Sequence, residues 1–372
     1  MSNMDRAGAV RQGESLDHEA VSAWLVRQGI EVQGQPEVTQ YSGGASNWTY
    51  RLHYANADLV LRRPPQGTKA KSAHDMQREY RVQQALATHY PVVPKMVALC
   101  QDQSVLGCDF YVMQRIEGLI LRQNLPKGLV LSEIQTQQLC KQMWDQLIAL
   151  HQVPYQQTDL ANLDKGEGYC QRQVDGWDQR FVRAKTLNVP SFRYVRQWLK
   201  KHVPQDTLRC LIHNDWRFDN LILDPQHPTH IIGVLDWEMA TIGDPWMDLG
   251  SALAYWVEEQ DSALFKAIRR QPSHLKGMFS RQQVVDYYIQ KTGLVPQNWT
   301  FYEVFGIFRL AVIAQQIYYR YYHQQTRNPA FKDFWIVVHA LHMRALKCIA
   351  QHRLEHDPRL GPYYQKIKGR FT

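Results

Sequence analysis

The sequence predicts an α+β chain with two lobes, in which a small antiparallel β lobe with one helix precedes a large, mostly helical lobe. Two observations support this class: strand-like runs surround a single helical segment before residue 116, and strand signals become rare after Gly118. The chain has 372 residues, which exceeds the size at which a single hydrophobic core usually stops growing, so one large domain or two unequal domains are expected. We place the first lobe, which includes an N-terminal helix, at residues 1–115 and the second at 116–372.

The first lobe begins with a predicted helix over residues 17–28, with Asp17 as its N-cap and Trp24 on its apolar face. Alternating or apolar runs then predict strands over residues 46–54, 58–62, 95–99 and 109–116. The first two runs are separated by Asn56 and Ala57 and should form a hairpin. A helix over about 74–89 is inserted between the second and third runs, which completes the sheet.

In the second lobe, Ser132 and Gln135 make a capping box for a helix that runs to about His151. Strand signals are limited to three short apolar runs at 210–212, 221–223 and 231–235. A long helix is predicted from about Tyr302, with Val304, Phe308 and Ala311 facing inward. The aromatic run at 317–323 could stack nucleobases, but we interpret it as the end of this helix.

The net charge of +8 fits either a nucleic-acid-binding protein or a protein with polyanionic ligands such as nucleotides, and a solvated basic surface would give the same value. The basic residues are dispersed in short groups, so we expect no nucleic-acid partner. Six cysteines lie far apart without a Cys-x-x-Cys spacing, which argues against a zinc site and indicates reduced thiols. No apolar run reaches transmembrane length, so we expect a cytoplasmic protein with no membrane contact.

The most informative segment contains His213, Asp215 and Asn220 in the spacing His-x-Asp-x4-Asn, between two short apolar runs. A third apolar run ends at Asp236. Phosphoryl transfer needs these residue types: Asp215 would orient a hydroxyl and accept its proton, and Asn220 and Asp236 would supply oxygen ligands to Mg²⁺. His213 would brace the loop. We expect all three ligating or reacting groups to lie at strand ends on one hairpin.

Loop residues of these types are common, so a lone His-x-Asp would carry no functional signal. The complete spacing, the apolar flanks and the following strand that ends in aspartate favour the catalytic interpretation. The first lobe offers complementary parts. Gly43, Gly44 and Ser46 are small enough for backbone N–H groups to approach phosphates, although Gly-Gly turns are ubiquitous.

Arg62 ends a predicted strand and Glu79 lies in the following helix, an arrangement that would position the α- and β-phosphates of ATP. Without Asp215 and Asp236 downstream, the same two residues would be read as unrelated surface charges. Two histidine pairs, His339 with His342 and His227 with His230, lack further ligands at matching positions and are interpreted as structural.

Taken together, these motifs resemble the aminoglycoside phosphotransferase and choline kinase-like family, a branch of the protein-kinase-like fold. The resemblance extends from Tyr41 to about Arg320 and depends mainly on the His213 motif, Asp236-Trp-Glu238 and the segment 243–249. Within the family, the chain is similar to the kinase-like domains linked to acyl-CoA dehydrogenases. The segments that support this finer match are Leu61 to Pro65, Arg78 to Val82, Phe110 to Met113 and Phe308 to Val312.

The resemblance implies ATP and Mg²⁺ as cofactors and a cleft between the lobes as the active site. It implies that the backbone of Met113, Gln114 and Ile116 binds adenine, and that Asp248 holds the catalytic loop by hydrogen bonds. N-capping is an alternative role for either Asp244 or Asp248. One departure concerns Arg62, because the family usually has lysine at this position, and arginine binds phosphate with a different geometry.

Three functional hypotheses are open. A metabolic kinase would phosphorylate a small-molecule hydroxyl, and the acyl-CoA dehydrogenase-linked relatives suggest a hydroxyacyl-CoA. An antibiotic kinase would phosphorylate aminoglycosides, whose positive charges need an acidic pocket. A non-catalytic nucleotide-binding regulator, a pseudokinase, would follow if Arg62 does not support turnover. The sequence identifies neither the acceptor nor the oligomeric state.

Overall fold

The computed structural model describes residues 7–41, 47–65, 75–358 and Gly361, and it confirms the α+β class and the kinase-like fold. The chain divides into two compact units that interleave in sequence. Unit 1 comprises Met1–Asn162, Arg217–Ala240 and Val257–Ser280, and unit 2 comprises Leu163–Trp216, Thr241–Trp256 and Arg281–Thr372. The lobe boundary at residue 115 stays a prediction.

Strands are short throughout both units. In chain order they are β1 (Glu37–Gln40), β2 (Trp48–His53), β3 (Asp58–Arg63), β4 (Met96–Cys100), β5 (Phe110–Gln114), β6 (Leu119–Ile120), β7 (Cys210–Ile212), β8 (Leu221–Leu223), β9 (Ile231–Val234) and β10 (Thr241–Gly243). The helices are α1 (His18–Arg27), α2 (Met76–Leu86), α3 (Gln103–Leu106), α4 (Glu133–His151), α5 (Tyr169–Ala184), α6 (Arg193–Lys201), α7 (Pro245–Ala254), α8 (Ala263–Ile268), α9 (Arg281–Thr292), α10 (Trp299–Tyr322) and α11 (Phe334–His356).

Unit 1 contains a five-stranded antiparallel sheet in the order β1-β2-β3-β5-β4, with α2 inserted between β3 and β4. The predicted hairpin is confirmed, because β2 and β3 pair from Trp48 opposite Arg63 to His53 opposite Asp58. Alternate side chains of both strands, including Leu52 and Leu61, are fully buried in a core that α1 covers. Trp24 of α1 contacts Phe110 edge-on at 5.0 Å between ring centroids.

The predicted N-terminal caps of α1 and α4 are present in the structure. Asp17 caps α1 by accepting a hydrogen bond from the amide of Ala20, and Ser132 and Gln135 form the predicted reciprocal capping box of α4. Three strands, β1, β6 and β10, were not predicted, because each has only two to four residues and too little periodicity to be recognised. A short helix, α3, lies between the predicted strands at 95–99 and 109–116 and was also not predicted.

In unit 1 a second, three-stranded sheet has the order β6-β8-β9, and in unit 2 β7 pairs with β10. The helices of unit 2 include a close contact between α7 and α10. A Cβ atom built on Gly306 would lie 2.1 Å from the carbonyl oxygen of Gly250, so only glycine allows this approach. This contact sets the positions of Asp248 on α7 and Arg309 on α10.

Candidate active site

Arg62 of β3 and Glu79 of α2 form the predicted ion pair, at 3.0 Å. Glu79 is only 1% exposed, and the Arg62 side chain is largely buried beside it. The guanidinium of Arg62 also lies 3.4 Å from the carboxylate of Asp236 and 3.9 Å from that of Glu238. Arg62 therefore joins the five-stranded sheet and α2 to the segment that follows β9.

Burial raises the pKa of the Glu79 carboxyl, and the nearby Arg62 guanidinium offsets only part of this effect. Burial alone would lower the pKa of Arg62, but the carboxylates of Glu79 and Asp236 raise it above its ordinary value. Arg62 therefore remains a permanent cation in the site, and its Nε atom is buried without a hydrogen-bond acceptor in the described part of the chain.

The hairpin of β8 and β9 holds Asn220 and Asp236. Leu221 pairs with Val234, and the backbone amide of Leu235 donates to the carbonyl of Asn220 at 2.8 Å. Asp236 has a φ of 65°, an unusual backbone conformation for a residue other than glycine. The hairpin and this turn bring an amide and a carboxylate, both oxygen donors suited to Mg²⁺, to the same end of the sheet.

Two residues of unit 1 were not recognised as site components from the sequence. The side chain of Glu238 accepts a hydrogen bond from Asn47 at 3.2 Å, and its backbone carbonyl accepts one from Arg78 at 2.8 Å. A second guanidinium nitrogen of Arg78 donates to the carbonyl of Ala240. Arg78 of α2 thus fixes the turn that contains Asp236. In the sequence, the position of Arg78 directly before Glu79 was the feature that could have indicated this role.

In unit 2, the loop after β7 is held by the carboxylate of Asp248, which accepts hydrogen bonds from the backbone amides of His213 and Asn214, each at 2.8 Å. The predicted contact of Asp248 is therefore confirmed. N-capping, the alternative role, is performed by Asp244, which accepts hydrogen bonds from the amides of Trp246 and Met247 at the start of α7. Asp248 and Asp244 are both fully buried.

Arg309 of α10 holds the same loop from its other side, because its guanidinium donates to the carbonyl of Asn214 at 2.7 Å. Asn214 has a φ of 66°, so the loop adopts a second strained turn directly before Asp215. Arg309 was missed as a site residue. The sequence feature that could have indicated its role is a single cation inside the apolar run Gly-Ile-Phe-Arg-Leu-Ala-Val. A guanidinium buried by such a run needs a hydrogen-bond acceptor.

His213 has the bracing environment that was predicted. It is fully buried, its ring contacts Trp216 at 5.5 Å between centroids, and its Nδ1 accepts a hydrogen bond from the amide of Asp215 at 3.3 Å. Asp215 itself is half-buried. The backbone of this loop is therefore held by hydrogen bonds, while the carboxylate of Asp215 keeps some access to solvent.

The expectation that Asp215, Asn220 and Asp236 share one hairpin is wrong. Asn220 and Asp236 flank the β8–β9 hairpin, whereas Asp215 follows β7, which pairs with β10 in the other unit. The apolar runs at 210–212 and 221–223 are consecutive in sequence, but three-residue strands carry no information on their partner. The convergence of Asp215 with the two metal-ligand candidates stays a prediction.

The remaining predicted site residues are those expected to contact the phosphates and the adenine of ATP. Gly43, Gly44 and Ser46 lie outside the described residues. Met113 is buried on β5 opposite Val60, whereas Gln114 at the strand end is exposed. The side chain of Ile116 packs beside Gly233, where an added Cβ would lie 3.0 Å from it. The adenine contact proposed for this segment stays a prediction.

The interpretation of the two histidine pairs as structural stays a prediction. His339 contacts the carbonyl of Asn188 at 3.0 Å, and the ring of His342 packs on Phe192 at 4.5 Å. In the ranges that the structure describes, no group of three His, Cys, Asp or Glu side chains is placed to hold a metal ion. Of the described helices, none combines the length and apolar character needed to cross a bilayer.

The family model for the APH phosphotransferase enzyme family matches residues 37–283. Mouse acyl-CoA dehydrogenase family member 10 is 34% identical over 314 residues, which is 84% of this chain but only 29% of that relative. The chain therefore spans less than a third of that relative's length.

Two solved structures show the same fold. A Ralstonia eutropha protein, whose name as an aminoglycoside phosphotransferase is provisional, is 31% identical with a TM-score of 0.76 and covers 90% of this chain and 98% of its own. Choline kinase from Cryptosporidium parvum is 13% identical with a TM-score of 0.60, covering 94% of this chain and 99% of its own. On the family match and these similarities, the chain belongs to the APH phosphotransferase enzyme family.

Proposed function

We propose that the chain transfers the γ-phosphoryl group of ATP to a hydroxyl group of a small molecule. The observation that supports this most directly is the Arg62–Glu79 pair at 3.0 Å beside Asp236, since a cation tied to a helix carboxylate is the phosphate-positioning device of kinases. The rigid loop before Asp215 supports it further.

In the proposed reaction, Asp215 orients the acceptor hydroxyl and takes its proton while the hydroxyl oxygen bonds to the γ-phosphorus. The bond from that phosphorus to the β,γ-bridging oxygen breaks, and ADP leaves. Arg62 binds phosphate oxygens through its guanidinium group. Asn220 and Asp236 would hold Mg²⁺, which neutralises phosphate charge when bound.

We further propose a hydroxyacyl-CoA as the acceptor class. The support is the similarity to mouse acyl-CoA dehydrogenase family member 10, together with the resemblance of the segments Leu61 to Pro65 and Phe308 to Val312 to kinase-like domains linked to acyl-CoA dehydrogenases. Phosphorylation would convert a poor leaving group, hydroxide, into a good one, phosphate. Aminoglycoside kinase activity and a non-catalytic regulatory role are the alternatives.

The test is a phosphoryl-transfer assay in which purified chain, ATP and Mg²⁺ are supplied with hydroxyacyl-CoAs, aminoglycosides or choline-like alcohols. We expect ADP release and a phosphorylated product, identified by mass spectrometry, only with hydroxyacyl-CoAs. The matched control is Asp215→Asn, which should abolish product. Product from an aminoglycoside alone would replace the acceptor assignment, and Mg²⁺-ATP binding without any product would favour the regulator.

A further inference from the structure

Helices α5 and α10 of unit 2 line a surface pocket with a volume of about 510 Å³. Three arginines and a tyrosine dominate its lining, which consists of Arg180, Arg183, Ala184, Gln316, Tyr319 and Arg320. The first three residues belong to the last two turns of α5, and the others belong to the end of α10. The pocket is therefore built on two packed helices instead of a loop, which favours a fixed arrangement of its side chains.

The pocket has three positive charges and no carboxylate in its lining. Within the described ranges, Arg180, Arg183 and Arg320 form no ion pair. Elsewhere on the same surface cations do have acidic partners, as where Asp178 binds both Arg196 and Lys200. Partial burial and, to a smaller extent, the neighbouring Arg309 cation lower the pKa of Arg180.

The pocket is connected to the catalytic loop through two side chains. The guanidinium of Arg180 lies over the ring of Trp177 at 4.5 Å, and that of Arg309 lies over the same ring at 5.1 Å. Arg309 in turn donates to the carbonyl of Asn214, the residue before Asp215. All of these residues belong to unit 2, so the pocket and the loop share one scaffold.

A simpler explanation accounts for part of the cluster. Arg183 and Arg320 lie in the last turns of their helices, where a cation interacts favourably with the helix dipole. Arg180 lies one turn earlier, and the dipole does not explain why cations from two helices converge on one concavity beside Tyr319. The same charges would repel a polycationic aminoglycoside, so they favour an anionic ligand.

We propose that this arginine pocket binds the phosphate groups of the acceptor, and specifically those of the phosphorylated adenosine end of an acyl-CoA. The inference rests on the proposed function for its acceptor class. Guanidinium groups bind phosphates through paired hydrogen bonds, and three of them suit a ligand with several phosphates. The hydroxyacyl end of such a ligand would extend from the pocket toward the loop that Arg309 holds.

The experiment measures binding by calorimetry to coenzyme A, to pantetheine, which lacks the nucleotide phosphates, and to inorganic pyrophosphate. The variant is Arg180→Gln/Arg183→Gln, and the matched control is Arg193→Gln/Lys201→Gln, which removes two exposed charges from α6. We expect the first variant to weaken coenzyme A binding by about tenfold or more. Its melting temperature, its pantetheine binding and its Mg²⁺-ATP affinity should match those of the parent and the control.

Unchanged coenzyme A affinity in Arg180→Gln/Arg183→Gln, or no coenzyme A binding by the parent, would overturn the inference. Pyrophosphate binding as tight as that of coenzyme A, with the same loss in the variant, would overturn the acyl-CoA assignment in favour of a free phosphate anion. Turnover separates the two proposals. If hydroxyacyl-CoA is phosphorylated with the parental KM in the variant, the pocket assignment fails and the proposed function stands. If coenzyme A binds through the pocket but no hydroxyacyl-CoA is phosphorylated, the proposed function fails instead.

Discussion

Arg309 donates a hydrogen bond to the carbonyl of Asn214 at 2.7 Å from a position that is only 5% exposed. Asp248 accepts from the amides of His213 and Asn214 on the opposite side of the same segment. The backbone before Asp215 is thus fixed by one buried cation and one buried anion. Such support restricts the directions in which the Asp215 carboxylate can point.

Replacement of Asp248 with asparagine should loosen this loop. One carboxylate oxygen now faces each amide, so the –NH2 group of asparagine would confront one N–H donor. We expect a loss of about 1.5–3 kcal/mol from the charge-assisted hydrogen bonds, with faster hydrogen exchange at His213 and Asn214 and a lower kcat. In the control Asp244→Asn, faster exchange should appear at Trp246 and Met247 instead. Equal exchange of the loop amides in the two variants would contradict this role of Asp248.

Asp215 and Asp236 should separate catalysis from nucleotide binding. Asp215→Asn removes the proposed base and should keep Mg²⁺-ATP binding while losing most turnover, by about 10²-fold or more. Asp236→Asn removes an anionic oxygen ligand and should weaken metal-dependent ATP binding as well. Paired calorimetry and turnover measurements on both variants and the parent provide the check. Parental turnover by Asp215→Asn would show that another group is the base.

Removal of Arg62 should make stability strongly dependent on pH. The folded-state pKa of Glu79 is already raised by burial, so its contribution to stability is greatest below its unfolded pKa and declines as the pH rises through the folded value. Without Arg62 the folded-state pKa of Glu79 should rise further, so the decline should extend to higher pH and be larger in total. We expect Arg62→Ala to lose about 3–5 kcal/mol of unfolding free energy at pH 8 and clearly less at pH 5.

The double variant Arg62→Ala/Glu79→Gln is the control, because it removes the buried carboxylate together with its partner. Urea unfolding at both pH values should show that the double variant recovers most of the loss and most of the pH dependence. A similar deficit for single and double variants at pH 8 would mean that the uncompensated charge of Glu79 is not the cause.

The glycine contact of α7 and α10 leads to a prediction about packing. Gly306→Ala would place a methyl group 2.1 Å from the Gly250 oxygen, so the helices must separate at a cost of about 1–3 kcal/mol. Because Arg309 follows on α10, turnover should fall too. Gly176→Ala in α5 is the matched control, since no atom lies within 4 Å of its added Cβ, and it should stabilise by about 0.5–1 kcal/mol. The check is thermal unfolding of both variants and the parent. An unchanged melting temperature of Gly306→Ala would contradict the close contact between α7 and α10.

Local patterns in the sequence were sufficient to predict much of the fold. The β2–β3 hairpin, the capping box at Ser132 and the burial of Val304, Phe308 and Ala311 on α10 are all confirmed. Each depends on residues close together in the chain, where periodicity and capping chemistry are informative. The pairing of Arg62 with Glu79 was also predicted, but that prediction depended on Asp215 and Asp236 downstream, which indicated a kinase, in which a strand cation pairs with a helix carboxylate.

Contacts between residues far apart in the chain were harder to predict from the sequence. The partner of β7 is β10, and nothing in the three residues of either strand specifies that pairing. The hydrogen bond between Arg309 and Asn214 links residues 95 positions apart, and the contact of Arg62 with Asp236 spans 174. Such contacts depend on how helices and sheets pack within each unit, which residue spacing does not encode.

The charges around Arg62 affect how fast ATP associates with the site, with or without bound magnesium. One guanidinium faces the carboxylates of Glu79, Asp236 and Glu238, while Arg78 is engaged with the backbone carbonyls of Glu238 and Ala240. In the proposed reaction, free ATP would therefore approach a centre with surplus negative charge, and repulsion would slow its arrival. The magnesium complex of ATP arrives with part of its charge already neutralised. Chelation of magnesium should accordingly lower the association rate of the nucleotide, in addition to its effect on chemistry.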